Sequence, residues 1–168
     1  MTDISSQHEI SDTESMALVE LMFFAYRDFV ADPDGILRTL GFGRAHHRIV
    51  HFVGRDPGMT VAQLLDILQI TKQSLSRVLK DLIDEGYIMQ KEGRDDRRQR
   101  LLYLTSKGDD LWRKLITPQM QRFRQAVAET RTGSSPHYHE ILFHLVNPGN
   151  RPGVREWIDR VSLIGGES

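Results

Sequence analysis

The sequence predicts a mostly α chain carrying one small β-hairpin, an α+β fold, and three observations support that expectation. Residues 71–86 place Leu75, Val78, Leu79, Leu82 and Ile83 at spacings i, i+3, i+4, i+7 and i+8, which is one apolar stripe of a helix. A second short amphipathic stretch, ending at Leu68, is joined to it by only Gln69 and Ile70. Beyond Gly86, two β-prone runs, Tyr87-Ile88-Met89 and Leu101-Leu102-Tyr103-Leu104, flank the charged stretch from Lys91 to Arg100.

Taken in order, Ser11-Asp12-Thr13-Glu14 has the spacing of a capping box and opens a long apolar segment. From Met16 to Tyr26 every residue but Glu20 is apolar. A helix apolar on all sides must be covered on more than one, yet this one is shorter than the ~20 residues that span a bilayer. In a chain of 168 residues the expected second cover is another subunit. The helix is expected to end before Pro33, with Asp32-Pro33-Asp34-Gly35 as a turn and Ile36–Leu40 as a short helical piece. Gly41-Phe42-Gly43 then breaks the chain before a helix over Arg44–Arg55, which Asp56-Pro57-Gly58 stops. Thr60 caps the next helix, with Val61, Leu64, Leu65 and Leu68 on one face. Thr71 caps the 71–86 helix and Gly86 closes it in the left-handed conformation. On its outward side stand Gln73, Arg77, Lys80 and Asp84, an amide and two cations before an acidic end.

Two short apolar-faced helices joined by so brief a turn, the second exposing basic residues, form the pattern of a helix-turn-helix. The charged hairpin loop is longer than most, which suits a reaching element whose arginines grasp something. Thr105-Ser106-Lys107-Gly108 begins a further helix running to about Thr130, with Pro118 expected to kink it. Arg131–Ser135 reads as a loop, residues 136–146 as a helix, 147–153 as a Pro/Gly break and 154–164 as a last short helix.

Composition narrows the chemistry. The absence of cysteine excludes disulfides, thiolate metal ligands and switching by cysteine oxidation. The first residues lack the basic start and apolar core of a signal peptide, so a cytoplasmic protein without a membrane partner is expected. The formal net charge is −1, but charge is unevenly spread. Residues 1–35 hold eight acidic side chains and one basic, whereas residues 71–100 hold eight basic and six acidic. One end is acidic and the other basic, which permits a nucleic-acid partner despite the near-neutral sum.

The helix-turn-helix, the charged hairpin and the following Leu104-Thr105-Ser106-Lys107-Gly108 together resemble the MarR family of winged-helix transcriptional regulators. The likeness is most specific from Gly58 to Gly108, where Asp96-Arg97-Arg98 stands where that family's wing carries Asp-x-Arg. The resemblance implies a homodimeric repressor with two winged lobes on a pseudo-palindromic DNA operator. It also implies a small aromatic or phenolic effector between the dimerisation and DNA-binding parts. It divides the chain into an N-terminal arm and dimerisation helix (1–42), a winged helix-turn-helix domain (43–104) and C-terminal dimerisation helices (105–168).

Within that frame the expected DNA-contacting residues are Thr71, Lys72, Gln73, Ser74, Arg77 and Lys80 on the helix, with Arg94, Asp96, Arg97, Arg98 and Arg100 on the wing. Bidentate geometry favours Arg77 for guanine and Gln73 for adenine, while Lys80 suits phosphate. By similarity, Asp96 and Arg98 organise the wing tip and Arg97 or Arg94 enters the minor groove. Phe23, Tyr26, Phe42, His47, His51 and Trp112 are candidates for an effector pocket where the first, second and fifth helices meet, and equally for ordinary core. His47 and His51 at i, i+4, with His46 beside them and His137, His139 and His144 further on, make a metal site conceivable. No HExxH pattern or cysteine supports one, so neither metal nor cofactor is expected. No nucleophile-base-orienter set or phosphate loop is present, and enzymatic activity is not expected. The competing class is a winged-helix protein-interaction module that works through its acidic N-terminal face and binds no operator.

Overall fold

The computed structural model describes residues 10–93, 96, 98–130 and 136–164. In chain order they form α1 (Asp12–Thr39), α2 (Arg44–Arg55), α3 (Val61–Leu68), α4 (Lys72–Asp84), β1 (Ile88–Glu92), β2 (Arg100–Leu104), α5 (Ser106–Glu129), α6 (Pro136–Leu145), a 3-10 turn (Pro148–Asn150) and α7 (Arg151–Ile164). The fold is mostly helical with one antiparallel hairpin, in which Ile88 faces Leu104 and Glu92 faces Arg100. Among the described residues no helix is long and apolar enough to cross a membrane.

The core sits where α2, α3, α4, the base of the hairpin and α5 meet, around Ile49, Val53, Leu64, Leu75, Leu82 and Leu115. Local chemistry sets the element ends. Ser11 with Glu14, and Thr60 with Gln63, close full capping boxes at the starts of α1 and α3. Gly86, at φ +75°, ends the chain's run through α4. One feature absent from the sequence reading widens the hairpin. Gly58 N–H donates to the Leu102 carbonyl at 2.7 Å and Leu102 N–H to the Met59 carbonyl at 2.9 Å, so residues 58–60 lie along the free edge of β2.

Two sequence expectations are corrected. α1 does not stop before Pro33: it runs unbroken to Thr39, with no turn at Asp32–Gly35. A proline inside a helix leaves the carbonyl four residues earlier without a donor. That carbonyl belongs to Phe29, and the buried side chain of Gln119 on α5 donates to it at 3.4 Å. Pro33 itself is fully buried, so packing and a tertiary hydrogen bond together compensate for the missing amide. α5, by contrast, runs through Pro118 to Glu129 as expected. At the other end of the chain α7 begins at Arg151 rather than Val154. Pro152 is tolerated there because first-turn amides have no helical acceptor.

α2 carries His47 and His51, both half-buried. Burial, then the neighbouring His47 and Arg55, push the His51 imidazole down to about 4, and burial lowers His47 too. Both are therefore neutral in the fold at pH 7.

Two measurements follow from this packing. Gln119→Ala should lower unfolding free energy by about 1–2 kcal/mol in urea at fixed protein concentration. It should cost less in a Pro33→Ala background, where the helix supplies its own donor to Phe29; an equal cost in both would refute the pairing. The second concerns pH. An unfolded imidazole takes up its proton near 6.5, so the unfolded state binds more protons between there and about 4. Stability should fall as pH drops through that window and level out below it. Urea unfolding at pH 7 and 5 should show a loss of which His51→Gln removes about 1–2 kcal/mol; an unchanged loss would mean that His51 does not titrate this way.

Candidate nucleic-acid interface

α4 is built to expose one side. Thr71 is extended, and its hydroxyl accepts from Ser74 N–H at 3.2 Å and donates to the Ser74 hydroxyl at 2.9 Å. These two side chains spend a hydrogen bond each on the helix start. Leu75, Val78, Leu79 and Leu82 are buried and Ile83 half-buried, as the periodicity predicts, while Lys72, Gln73, Ser74, Arg77, Lys80 and Asp84 face solvent. Lys80 is ion-paired with Asp84, and that hydrogen bond raises its pKa. Lys72 and Arg77 have no carboxylate partner among the described residues.

The helix is held on its inner side by contacts the sequence did not announce. His46 on α2 accepts the Gly43 N–H through Nδ1 at 3.1 Å and turns Nε2 toward the Asp81 carboxylate at 3.5 Å. The Phe42 ring stacks on the same imidazole with 4.5 Å between centroids. At the far end, Lys107 Nζ donates to the Glu85 carbonyl at 2.7 Å and lies over the Tyr87 ring, placing a cation at the negative end of α4.

Leu104-Thr105-Ser106-Lys107-Gly108 forms the joint between that end and α5. Thr105 N–H donates to the Tyr87 carbonyl at 3.0 Å. Its hydroxyl donates to the Gly86 carbonyl at 2.6 Å and accepts from Gly108 N–H at 3.1 Å. A Cβ on Gly108 would lie 2.0 Å from the Tyr87 oxygen, so no larger residue fits.

At the wing tip, Asp96 closes the loop on itself. Its carboxylate accepts Arg98 N–H at 2.9 Å, and its carbonyl accepts Gln99 N–H at 3.0 Å. Gly93 N–H then reaches the Gln99 carbonyl at 3.0 Å. Arg98 is exposed. Arg100 is held across the hairpin by Glu92 at 3.0 Å, so its charge is not free. Arg94 and Arg97 lie outside the described residues.

The effector candidates are spread over several places. Phe23 is 71% and Tyr26 45% exposed on α1, with the Arg44 guanidinium over the Tyr26 ring. Phe42 lies at the core edge against His46 and Tyr87, and His47 and His51 are on α2. Trp112 presses on Gly54, whose added Cβ would come within 2.8 Å of the indole. None of the six lines either of two clefts, one of about 830 Å³ between α3 and the 3-10 turn with α7, the other of about 810 Å³ between α6 and α7. Among the described residues no three His, Asp or Glu side chains converge as metal ligands would.

Comparison with known proteins matches this arrangement. Residues 40–99 fit the model of the MarR family. The HTH-type transcriptional regulator PetP of Rhodobacter capsulatus is 44% identical over 142 residues, which cover 84% of this chain and 86% of that protein. Two solved structures share the fold at low identity. A mutant MarR from E. coli complexed with operator DNA is 16% identical with a TM-score of 0.59, over 83% of this chain and 100% of that one. Staphylococcus aureus MarR in complex with salicylate and kanamycin is 20% identical with a TM-score of 0.60, over 86% and 95%. With the capped, outward-facing α4, the hairpin and the Thr105–Gly108 joint in place, the relationship to PetP settles the matter: the chain belongs to the MarR family of winged-helix transcriptional regulators.

Proposed function

We propose that the protein is a homodimeric repressor that binds a pseudo-palindromic operator, with the amino end of α4 in the major groove of each half-site. The observation that carries this reading is the two-sidedness of α4: a largely buried apolar stripe fixes it to the core while Gln73 and Arg77 stand in solvent. On this reading Arg77 pairs with guanine and Gln73 with adenine, and Lys72, Lys80, Thr71 and Ser74 meet phosphates. Asp96 and Arg98 shape the wing tip, from which Arg94 or Arg97 reaches the minor groove, and Arg100 supports the hairpin through Glu92.

The dimer is supported by α1, where Met16, Leu18, Leu21, Met22, Phe23 and Phe24 are 44–71% exposed. So much contiguous apolar surface on a water-soluble chain calls for a cover, and α5 and α6 add Phe123, Ile141 and Leu145. A two-fold assembly repeats the α4 grip about one helical turn along the duplex. A small aromatic or phenolic effector releases the operator, although the candidates Phe23, Tyr26, Phe42, His47, His51 and Trp112 line neither cleft of the single chain. The salicylate-bound relative lends support to that class of ligand.

The decisive experiment is selection of bound fragments from the source genome followed by fluorescence anisotropy. Arg77→Ala should weaken operator binding by about 1–3 kcal/mol and relax choice at one base pair, whereas Lys72→Ala should weaken all sequences alike and reduce the salt slope by about one. An interaction module would shift no DNA at all. Sedimentation tests the assembly: the wild type should run as a dimer, and Met22→Asp with Phe23→Asp should shift it toward monomer. A wild-type monomer at micromolar concentration would end the dimer proposal.

A further inference from the structure

We propose that Asn150 is a positioning residue for DNA recognition, clasping Gln69 in the turn between α3 and α4 so that the C-terminal segment sets how α4 is presented. The inference rests on the reading of α4 as the DNA-contacting helix. Among the described residues Gln69 is the one non-glycine with positive φ, at φ 49° and ψ 43°. The left-handed region crowds the Cβ of an L residue; here it closes α3, with the Gln69 N–H donating to the Leu65 carbonyl at 2.9 Å. This residue is the hinge of the helix-turn-helix, because its backbone angles set the direction in which the chain leaves α3.

The surroundings are specific. Gln69 Nε2 donates to Asn150 Oδ1 at 3.2 Å and Asn150 Nδ2 donates back to Gln69 Oε1 at 3.5 Å, a reciprocal amide pair between residues 81 apart. Asn150 is itself anchored. Its N–H donates to the Asn147 carbonyl at 2.8 Å within the 3-10 turn, and the helix that follows is fastened to α2 at three points. Trp157 meets Phe52 edge to face with 5.2 Å between centroids. Arg160 pairs with Asp56 at 2.9 Å, and Arg55 donates to the Val161 carbonyl at 3.3 Å.

Between these anchors and α3 lies the open cleft of about 830 Å³, with Gln69 and Asn150 both on its wall. Among the described residues the amide pair provides the only hydrogen bonds from α3 or its turn to the C-terminal segment. A strap fixed to α2 therefore reaches across a gap to one strained residue, and that residue sets the angle of α4.

The test compares wild type, Asn150→Ala, Gln69→Gly and the double variant as full-length proteins. Readouts are anisotropy on an operator fragment selected with the wild type, amide hydrogen exchange over residues 69–75, and sedimentation to confirm equal assembly. Asn150→Ala should weaken operator binding about three- to tenfold and speed exchange in the turn. In the Gln69→Gly background it should do neither, because the amide partner of Asn150 is gone and glycine holds a positive φ without help. Unchanged affinity and exchange in Asn150→Ala, or an equal loss in both backgrounds, would overturn the clasp. If the wild type bound no DNA, the reading of α4 would fall, and the exchange rates would still decide whether Asn150 holds the turn.

Discussion

The joint between Gly86 and Gly108 is the constraint on which the placement of α4 and the hairpin depends. Four parts of the chain meet there: the end of α4, the start of β1, the end of β2 and the start of α5. Thr105 serves them all at once, because one hydroxyl both caps α5 and bonds the carbonyl that leaves α4. The missing Cβ at Gly108 lets the Tyr87 backbone come closer than any side chain would allow. α4 and the hairpin are thereby joined at a single corner held by these bonds. Lys107 adds a cation where the carbonyls of α4 run out.

A second constraint ties this lobe to α1. The carboxyl-terminal part of α1 is buried through Val30, Pro33 and Leu37, and Gln119 completes the helix where Pro33 interrupts its bonding. Arg122 adds an ion pair to Asp32 at 3.2 Å, though both groups are well exposed and such pairs contribute little. The amino-terminal part has no such cover. A 28-residue helix anchored at one end thus presents an apolar surface at the other.

Much of this could be read from the sequence because it is written locally. Ser11, Thr60 and Thr71 announce helix starts within four residues of themselves, and the stripe from Leu75 to Ile83 reveals which side of α4 is buried. The limits of α2 and α3 follow from Gly43, Pro57 and Thr60 in the same way. What could not be read was decided between distant residues. Pro33 looks like a helix end until Gln119, 90 positions beyond Phe29, supplies the donor to the Phe29 carbonyl. The strand-like pairing of residues 58–60 exists only because β2 offers a free edge. His46 looked like part of a histidine cluster, yet its two nitrogens serve a helix start and Asp81. At the candidate site the exposed residues were legible from periodicity, but their ion pairs were not, since Lys80 with Asp84 and Arg100 with Glu92 depend on rotamers and strand register.

Those ion pairs bear on how the proposed DNA contact would work. Counterion release gives each phosphate neutralised by a free cation a slope of about 0.9 in log affinity against log salt. A cation already paired with a carboxylate contributes less. Breaking the exposed pair is cheap, but the carboxylate it leaves stays near the phosphate and repels it. Of the eight basic residues between 71 and 100, Lys80 and Arg100 are committed in this way. The acidic residues of the first 35 positions further reduce attraction to DNA in general. On the proposed reading, bulk charge would contribute little to DNA binding, and discrimination would fall to the few groups that are both uncommitted and correctly aimed. That would place the burden on the geometry of α4, which the corner at Thr105 and, as proposed, the turn at Gln69 set.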